Sequence, residues 1–327
     1  MNPAEFPALG VINYTTRHLG PVIRDGIPRL DIHMSHTTRD GFAEVWPAQG
    51  VVLSGEDQGI VHARDGVHMF CAGRIAPAPA YVKSARDAYM TALDLLASAG
   101  YTEIFRVWNV IGGINDDNAE GLEIYQDFCR GRAEAFEACA PEASRIPAAS
   151  GVGALGEGIS FYLLAARPGR TTSIENPLQV PAYRYPERYG AKSPTFARAT
   201  HLRPPDGADG ADRICVSDTA IYVSGTAAIR GHESLHIGDV EAQCRMSLDN
   251  IAELLAPGNI GRHGLSGPTG LASMRQVRVY VREQADIPLV RRLCQEAFPV
   301  ATDISFLNVD LCRRELLVEI EGIAHDH

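Results

Sequence analysis

Two stretches of this chain repeat one order of elements, and a repeat of that size constrains the architecture more tightly than any single motif. The first copy starts at the strand-like His68-Met69-Phe70-Cys71-Ala72-Gly73, passes a helical run from Tyr89 to Ala97 and a strand from Phe105 to Val110, and ends on Ile159 to Ala165. The second starts at Ile221 to Thr226 and continues through a helix from Val240 to Leu255 and a strand from Val277 to Val281. A second helix, Ile287 to Phe298, and a final strand, Leu316 to Glu321, complete it. Helical i, i+3, i+4 spacing and strand i, i+2 spacing support these elements, so the fold class is α+β, built from two related units. Only the second copy places a glutamate, Glu319, inside its last strand.

The rest of the chain divides around the copies. Residues 1–67 carry short apolar alternations such as Gly50 to Leu53 and Gly59 to His62, and read as strands of a smaller N-terminal unit. The copies occupy 68–166 and 213–327. Between them, 167–212 is rich in Pro, Gly, Arg and Tyr, and loops of that length are functional or disordered. Its part NPLQVPAYRYPERYGAKSPTFARAT, residues 176–200, holds too many aromatics for disorder; Pro204 to Ala211 reads as a flexible tip.

With 327 residues, 45% hydrophobic and 21% charged, the chain can bury a substantial core. No apolar run approaches the roughly 20 residues that span a bilayer, and the first ten residues lack the basic and apolar regions of a signal peptide, so a cytoplasmic location is expected. Seven cysteines without a C-x-x-C pair predict reduced thiols. A formal charge of -10 argues against nucleic acid, though a local pair of arginines could still hold a small anion.

Three motifs are misleading. His232-Glu233-Ser234-Leu235-His236 has zinc-protease spacing, but that chemistry needs a helix, and Gly231 and Gly238 bracket the motif. A polar loop, with Asp239 capping the next helix, fits better. Gly151-Val152-Gly153-Ala154-Leu155-Gly156 matches a dinucleotide fingerprint but is followed by a strand instead of a helix, and reads as a hairpin. Asn115 to Asn118 lacks the glycine and terminal glutamate of a calcium loop and reads as a turn. No metal is expected.

Alternation puts Leu317, Glu319 and Glu321 on one face of the last strand and Leu316, Val318 and Ile320 on the other. Two carboxylates about 7 Å apart along the strand would, if covered, force one toward its neutral form near pH 7, the condition for a general acid. On an open edge they would be surface charges. Phe161 stands at about the same place in the first copy, so the fold itself does not demand an acid. Phe306 to Cys312 reads as the partner strand, turning at Arg313-Arg314, with Asn308 opposite Glu319 and Cys312 some 13 Å away.

The stretch Ile221 to Ala324, with YVSGTAAI, VRVYV and ELLVEIEGIA, resembles the Rid (YjgF) family of small α+β proteins. The arginine that Rid imine deaminases carry before the last hairpin is missing, with Ala301-Thr302-Asp303-Ile304 in its place, while Arg145-Ile146-Pro147 stands there in the first copy. Over nearly its whole length the chain more specifically resembles the chorismatases, through NPLQVPAYRYPERYGAKSPTFARAT, SGTAAIRGHESLHIGD and DLCRRELLVEIE. That resemblance implies a monomer of Rid-like units in pseudo-threefold arrangement and a cleft between the middle and C-terminal units. It implies no cofactor and chorismate as substrate, cleaved to pyruvate and 3-hydroxybenzoate, with 4-hydroxybenzoate released by some relatives. Glu319 matches the family's proton donor, and cysteine at Cys312 is typical of its 3-hydroxybenzoate-forming subclass. The substrate's two carboxylates need cationic and phenolic donors, for which Arg198, Tyr189, Tyr185, Tyr183 and Arg184 are available. Gly225, Thr226 and Arg145 complete the expected contacts. Hydrolysis of chorismate to a trans-dihydrodiol, or non-catalytic binding of an acidic metabolite, remain the alternatives.

Overall fold

The short alternating segments near the start of the chain become strands. In the computed structural model, which describes residues 7–37, 41–139, 146–204 and 219–325, β1 (Ala8–Thr15), β2 (Leu19–Arg24), β3 (Ile27–His33) and β4 (Phe42–Pro47) form a sheet ordered β2-β3-β1-β4. Asp25 and Gly26, both left-handed, make the tight turn joining β2 to β3. β5 (Leu53–Asp57) and β6 (Ile60–Arg64) leave that sheet: β6 pairs with β7 (His68–Ile75) across a short turn, so the expected 1–67 unit is shared between two sheets.

The middle sheet is ordered β5-β6-β7-β10-β8-β9, with β8 (Glu103–Gly112), β9 (Ala148–Ala154) and β10 (Ile159–Ala166). Helices α1 (Val82–Ala99) and α2 (Ile124–Cys139) bury a stripe against it, including Tyr89, Leu96, Phe128 and Phe136. Gly100, left-handed, ends α1. The glycine-rich Gly151 to Gly156 segment does not form a hairpin. Its first half is β9, an edge strand delivered parallel to β8 by the α2 crossover, and β10 lies on the far side of β8.

The C-terminal sheet repeats this order. β11 (Thr171–Ile174) and β12 (Ala199–Leu202) are followed by β13 (Ala220–Ala227), the small hairpin β14 (Ile229–Arg230) and β15 (Glu233–Ser234), then β16 (Met274–Val281), β17 (Asp303–Asn308) and β18 (Val318–His325). The sheet runs β11-β12-β13-β18-β16-β17, with α3 (Val240–Leu254), α4 (Pro257–Arg262) and α5 (Ile287–Ala297) as its helices. The 167–212 segment therefore contributes two strands, β11 and β12, to this sheet; the tip beyond Pro204 lies outside the described residues, as does Arg145.

Two further expectations change here. β17 does not pair with β18: the α5 crossover sets it parallel to β16, so Asn308 faces Val281, and β18 is a central strand between β13 and β16. Phe161 is not the counterpart of Glu319. It packs on the helix side of its sheet, and matching β10 to β18 by face and register puts Ser160 there. His232 and Glu233 lie on the β14–β15 hairpin and His236 is left-handed, so no helix aligns the two histidines; Asp239 caps α3 by accepting from the Ala242 amide at 3.0 Å. Asn115 to Asn118 is a turn, with the Asp116 amide donating to the Gly113 carbonyl. The inner faces of the three sheets share one core, in which Tyr14, Trp108, Tyr162, Tyr222 and Tyr280 are buried.

Candidate active site

On β18, Val318 and Ile320 enter the core under α3 and α5, while Glu319 and Glu321 point to the inner side, each 3% exposed. The strand opposite makes room for Glu319. β13 has a register break between Val223 and Thr226, and a Cβ on Gly225 would overlap Glu319 Oε1 and meet Ser150 Oγ at 3.1 Å. Gly225 is thus required for space.

The two carboxylates live in opposite surroundings. Glu321 accepts from Arg106 (2.6 Å), Trp108 Nε1 (2.8 Å), Arg278 (2.8 Å), Tyr280 (3.0 Å) and the Ser150 hydroxyl. Burial pushes its carboxyl up, but Arg106 and Arg278 outweigh that and hold it below the usual range. An unpaired buried charge would cost several kcal/mol, and five donors remove that cost. Glu319 has no such set. Burial, then repulsion from Glu321, raise it to about 8, against the weaker pull of Arg106, Cys312 and Arg198.

Cys312 reaches this carboxyl directly, Sγ to Oε2 being 3.8 Å, where strand pairing predicted a long separation. After β17 the chain crosses to the middle unit: the Gly153 amide donates to the Asp310 carbonyl at 2.7 Å and Leu311 bridges Val152. That detour carries Cys312 back over Glu319. Burial and the neighbouring carboxylate push the Cys312 thiol well up, so it stays protonated.

These groups face a cavity of about 260 Å³ between the middle and C-terminal units, the size of one small metabolite. Tyr125 and Ser150 come from the middle unit, Glu319, Gly225 and Arg313 from the C-terminal one, and Tyr185, Tyr189 and Arg198 from the segment joining β11 to β12. That segment is folded by two single turns, Ala182–Arg184 and Glu187–Tyr189, which follow Pro181 and Pro186. Arg198, 3% exposed, donates to Tyr185 OH at 2.6 Å and the Val180 carbonyl at 2.9 Å. Tyr189 OH donates to the His232 carbonyl at 2.7 Å. Its outer neighbour Arg188 pairs with Glu233 at 3.0 Å, both side chains being more than half exposed, so solvent screens the contact.

The site therefore brings together Glu319, Cys312, Arg198, Tyr185, Tyr189 and Gly225. It excludes others of the expected set. Arg184 is exposed beside Tyr183, neither lines the cavity, and the Thr226 hydroxyl donates to the Ser224 carbonyl at 2.9 Å. Sequence reasoning missed Tyr125, Ser150 and Arg313. Arg313 lies 4.0 Å over the Tyr189 ring and donates to the His232 carbonyl at 2.9 Å; its signal was present, since it directly follows Cys312. Tyr125 sits on α2, which the sequence reading did not find. Burial, with Cys129, Cys312 and Glu319 nearby, holds its phenol well above the usual range, so it stays a neutral donor. Four arginines, Arg188, Arg198, Arg313 and Arg314, line the wall, which suits an anion.

Fold and site define an α+β protein with a buried carboxylic acid facing a small, arginine-lined cleft. The family described as chorismatase FkbO/Hyg5-like, N-terminal, matches residues 44–165. A 3-hydroxybenzoate synthase of Streptomyces hygroscopicus is 50% identical, covering 96% of this chain and 91% of its own length. A chorismatase of Streptomyces rapamycinicus is 42% identical over 96% and 92%. The crystal structure of a chorismatase superposes with a TM-score of 0.92 at 38% identity, covering 99% of this chain and 95% of that one. The chain belongs to the chorismatase family and is an enzyme.

Proposed function

We propose that this enzyme converts chorismate to pyruvate and 3-hydroxybenzoate. The observation that carries the reading is Glu319: a buried carboxyl held neutral to about pH 8, set against a cavity walled by arginines. The similarity to a 3-hydroxybenzoate synthase supports it.

The chemistry follows from the groups present. Arg198 and Arg313 receive the two carboxylates, with Tyr185 and Tyr189 fixing their orientation. Glu319 gives its proton to the terminal methylene of the enolpyruvyl ether, leaving an oxocarbenium ion. The ring 4-hydroxyl oxygen attacks C3 as the C3–O ether bond breaks; pyruvate leaves, and the hydroxyl proton goes to the Glu319 carboxylate. The C4–O bond of the strained intermediate then opens, the oxygen staying on C3 and taking up a proton, while loss of one proton from C3 restores the aromatic ring; no net proton, water, oxidant or cofactor is consumed. Cys312, a protonated thiol beside Glu319, fills the space where a nucleophilic water would stand.

Incubation with chorismate tests this. Coupled assay of pyruvate and chromatography of the aromatic product should give pyruvate and 3-hydroxybenzoate in equal amounts. A trans-dihydrodiol as main product would contradict the subclass, and absence of pyruvate would leave a binding protein.

A further inference from the structure

Glu321 lies outside the chemistry above, yet five side chains donate to it. It sits two residues from Glu319 on the same face of β18, about 7 Å along the strand. Its donors come from three directions: Arg106 and Trp108 on β8, Ser150 on β9, Arg278 and Tyr280 on β16. Arg278 also pairs with Glu44 of β4 at 2.8 Å, and Glu44 accepts from Tyr14 and Tyr162 at 3.1 and 3.0 Å. The N-terminal sheet, which contributes nothing to the cavity wall, thereby touches the site through one chain of charges.

We propose that Glu321 is a positioning residue, a carboxylate fixed in its ionised form by Arg106 and Arg278, whose charge keeps Glu319 in the protonated form that the reaction uses. The proposal rests on Glu319 being the proton donor. Its geometry is specific. Ser150 spends its proton on Glu321 while accepting from Arg106 at 2.7 Å and the Gly225 amide at 2.8 Å, so it fills the gap beside Glu319 without offering it a proton. The groups that act most strongly on Glu319 are Glu321 on its own strand, Arg106 from β8, Cys312 from the chain after β17 and Arg198 from the segment before β12; Tyr125 from α2 is also near, and Glu123, Arg313, Arg314 and Glu315 line the same cavity. Of the four that act most strongly, Glu321 is the one anion. It disfavours the carboxylate left after proton donation and so speeds return of the proton in each cycle. Arg106, which pairs with Glu321 at 2.6 Å and also lowers Glu319, would pull Glu319 the other way if its counter-charge were removed.

The test is the pH dependence of kcat. In the wild type, activity should fall as pH rises through about 8, where Glu319 loses its proton. In Glu321→Gln the alkaline limb should move at least about one pH unit lower, because the like charge is gone and Arg106 is unmatched. Glu321→Asp, which keeps the charge, should restore the limb, and KM for chorismate should change little in either. A purely structural residue would lower kcat at every pH without moving the limb. Should Glu321→Gln fail to fold, the double variant Arg106→Met with Glu321→Gln removes charge and counter-charge together, which buried pairs tolerate better than loss of one partner. There too the limb should move down, since repulsion from Glu321 outweighs attraction by Arg106. An unmoved limb in a folded variant that still forms product overturns the proposal. If the wild type releases no pyruvate from chorismate, it is the functional reading that fails.

Discussion

Glu319 and Glu321 are the same residue type, two positions apart on one strand, and their surroundings push them in opposite directions. Five hydrogen-bond donors hold one as an anion; burial and that anion hold the other as an acid. The arrangement has a consequence for stability. Glu319 is raised from an ordinary 4.5 to about 8 in the folded chain, so its neutral form contributes fully below 4.5 and that contribution is lost as pH climbs through 8. Glu319→Gln carries no such dependence. Its melting temperature relative to wild type should therefore rise steadily between about pH 5 and pH 8.5, and a difference that stays flat across this range would show that Glu319 is ionised throughout. Cys312 supports a second expectation at this scale. A larger polar side chain, as in Cys312→Gln, should admit water beside the reacting ring carbon and divert part of the product to the dihydrodiol while pyruvate release continues. An unchanged product profile by chromatography would remove Cys312 from the control of water.

At the scale of elements, the sequence was most legible where one period ran undisturbed. The alternation of β18 placed Glu319 and Glu321 together on one face without any knowledge of neighbours. What alternation could not supply was the neighbours themselves. The expected partner of β18 was the segment just before it in the chain, yet the crossover through α5 sends β17 to the far side of β16, and Cys312 reaches Glu319 by a loop through the middle unit. The same local bias turned β9 and β10 into an expected hairpin. α2 escaped notice because its buried face includes Asp127, Gly131 and Arg132, which break the apolar period; Gly131 is needed where α2 meets the Val82 carbonyl at the start of α1. With α2 went Tyr125. The glycines flanking the H-E-x-x-H segment already mark it as non-helical, and it supplies β15 of the β14–β15 hairpin. It now has another role, since the His232 carbonyl accepts from both Tyr189 and Arg313 at the cavity wall. Prolonged chelation should accordingly leave turnover and melting temperature unchanged; activity lost on chelation and recovered with zinc would contradict this placement.

At the scale of the molecule, three sheets close around one shared core, and the charge chain from Glu44 through Arg278 to Glu321 crosses all of it. Such a core couples the units, so heating should give a single cooperative transition in calorimetry, with the calorimetric and van't Hoff enthalpies equal. A separate early transition of the N-terminal sheet would show that it folds independently of the site. The cavity wall draws on the middle unit, the C-terminal unit and the segment joining β11 to β12. A neutral Glu319 delivers the proton that starts cleavage in this proposal. The most direct test is single-turnover release of pyruvate from chorismate by Glu319→Gln, an uncharged variant of nearly the same shape, at neutral pH. The variant should fold and release pyruvate more slowly than wild type by at least about two orders of magnitude, the usual worth of a general acid. A rate close to that of the wild type would contradict that role.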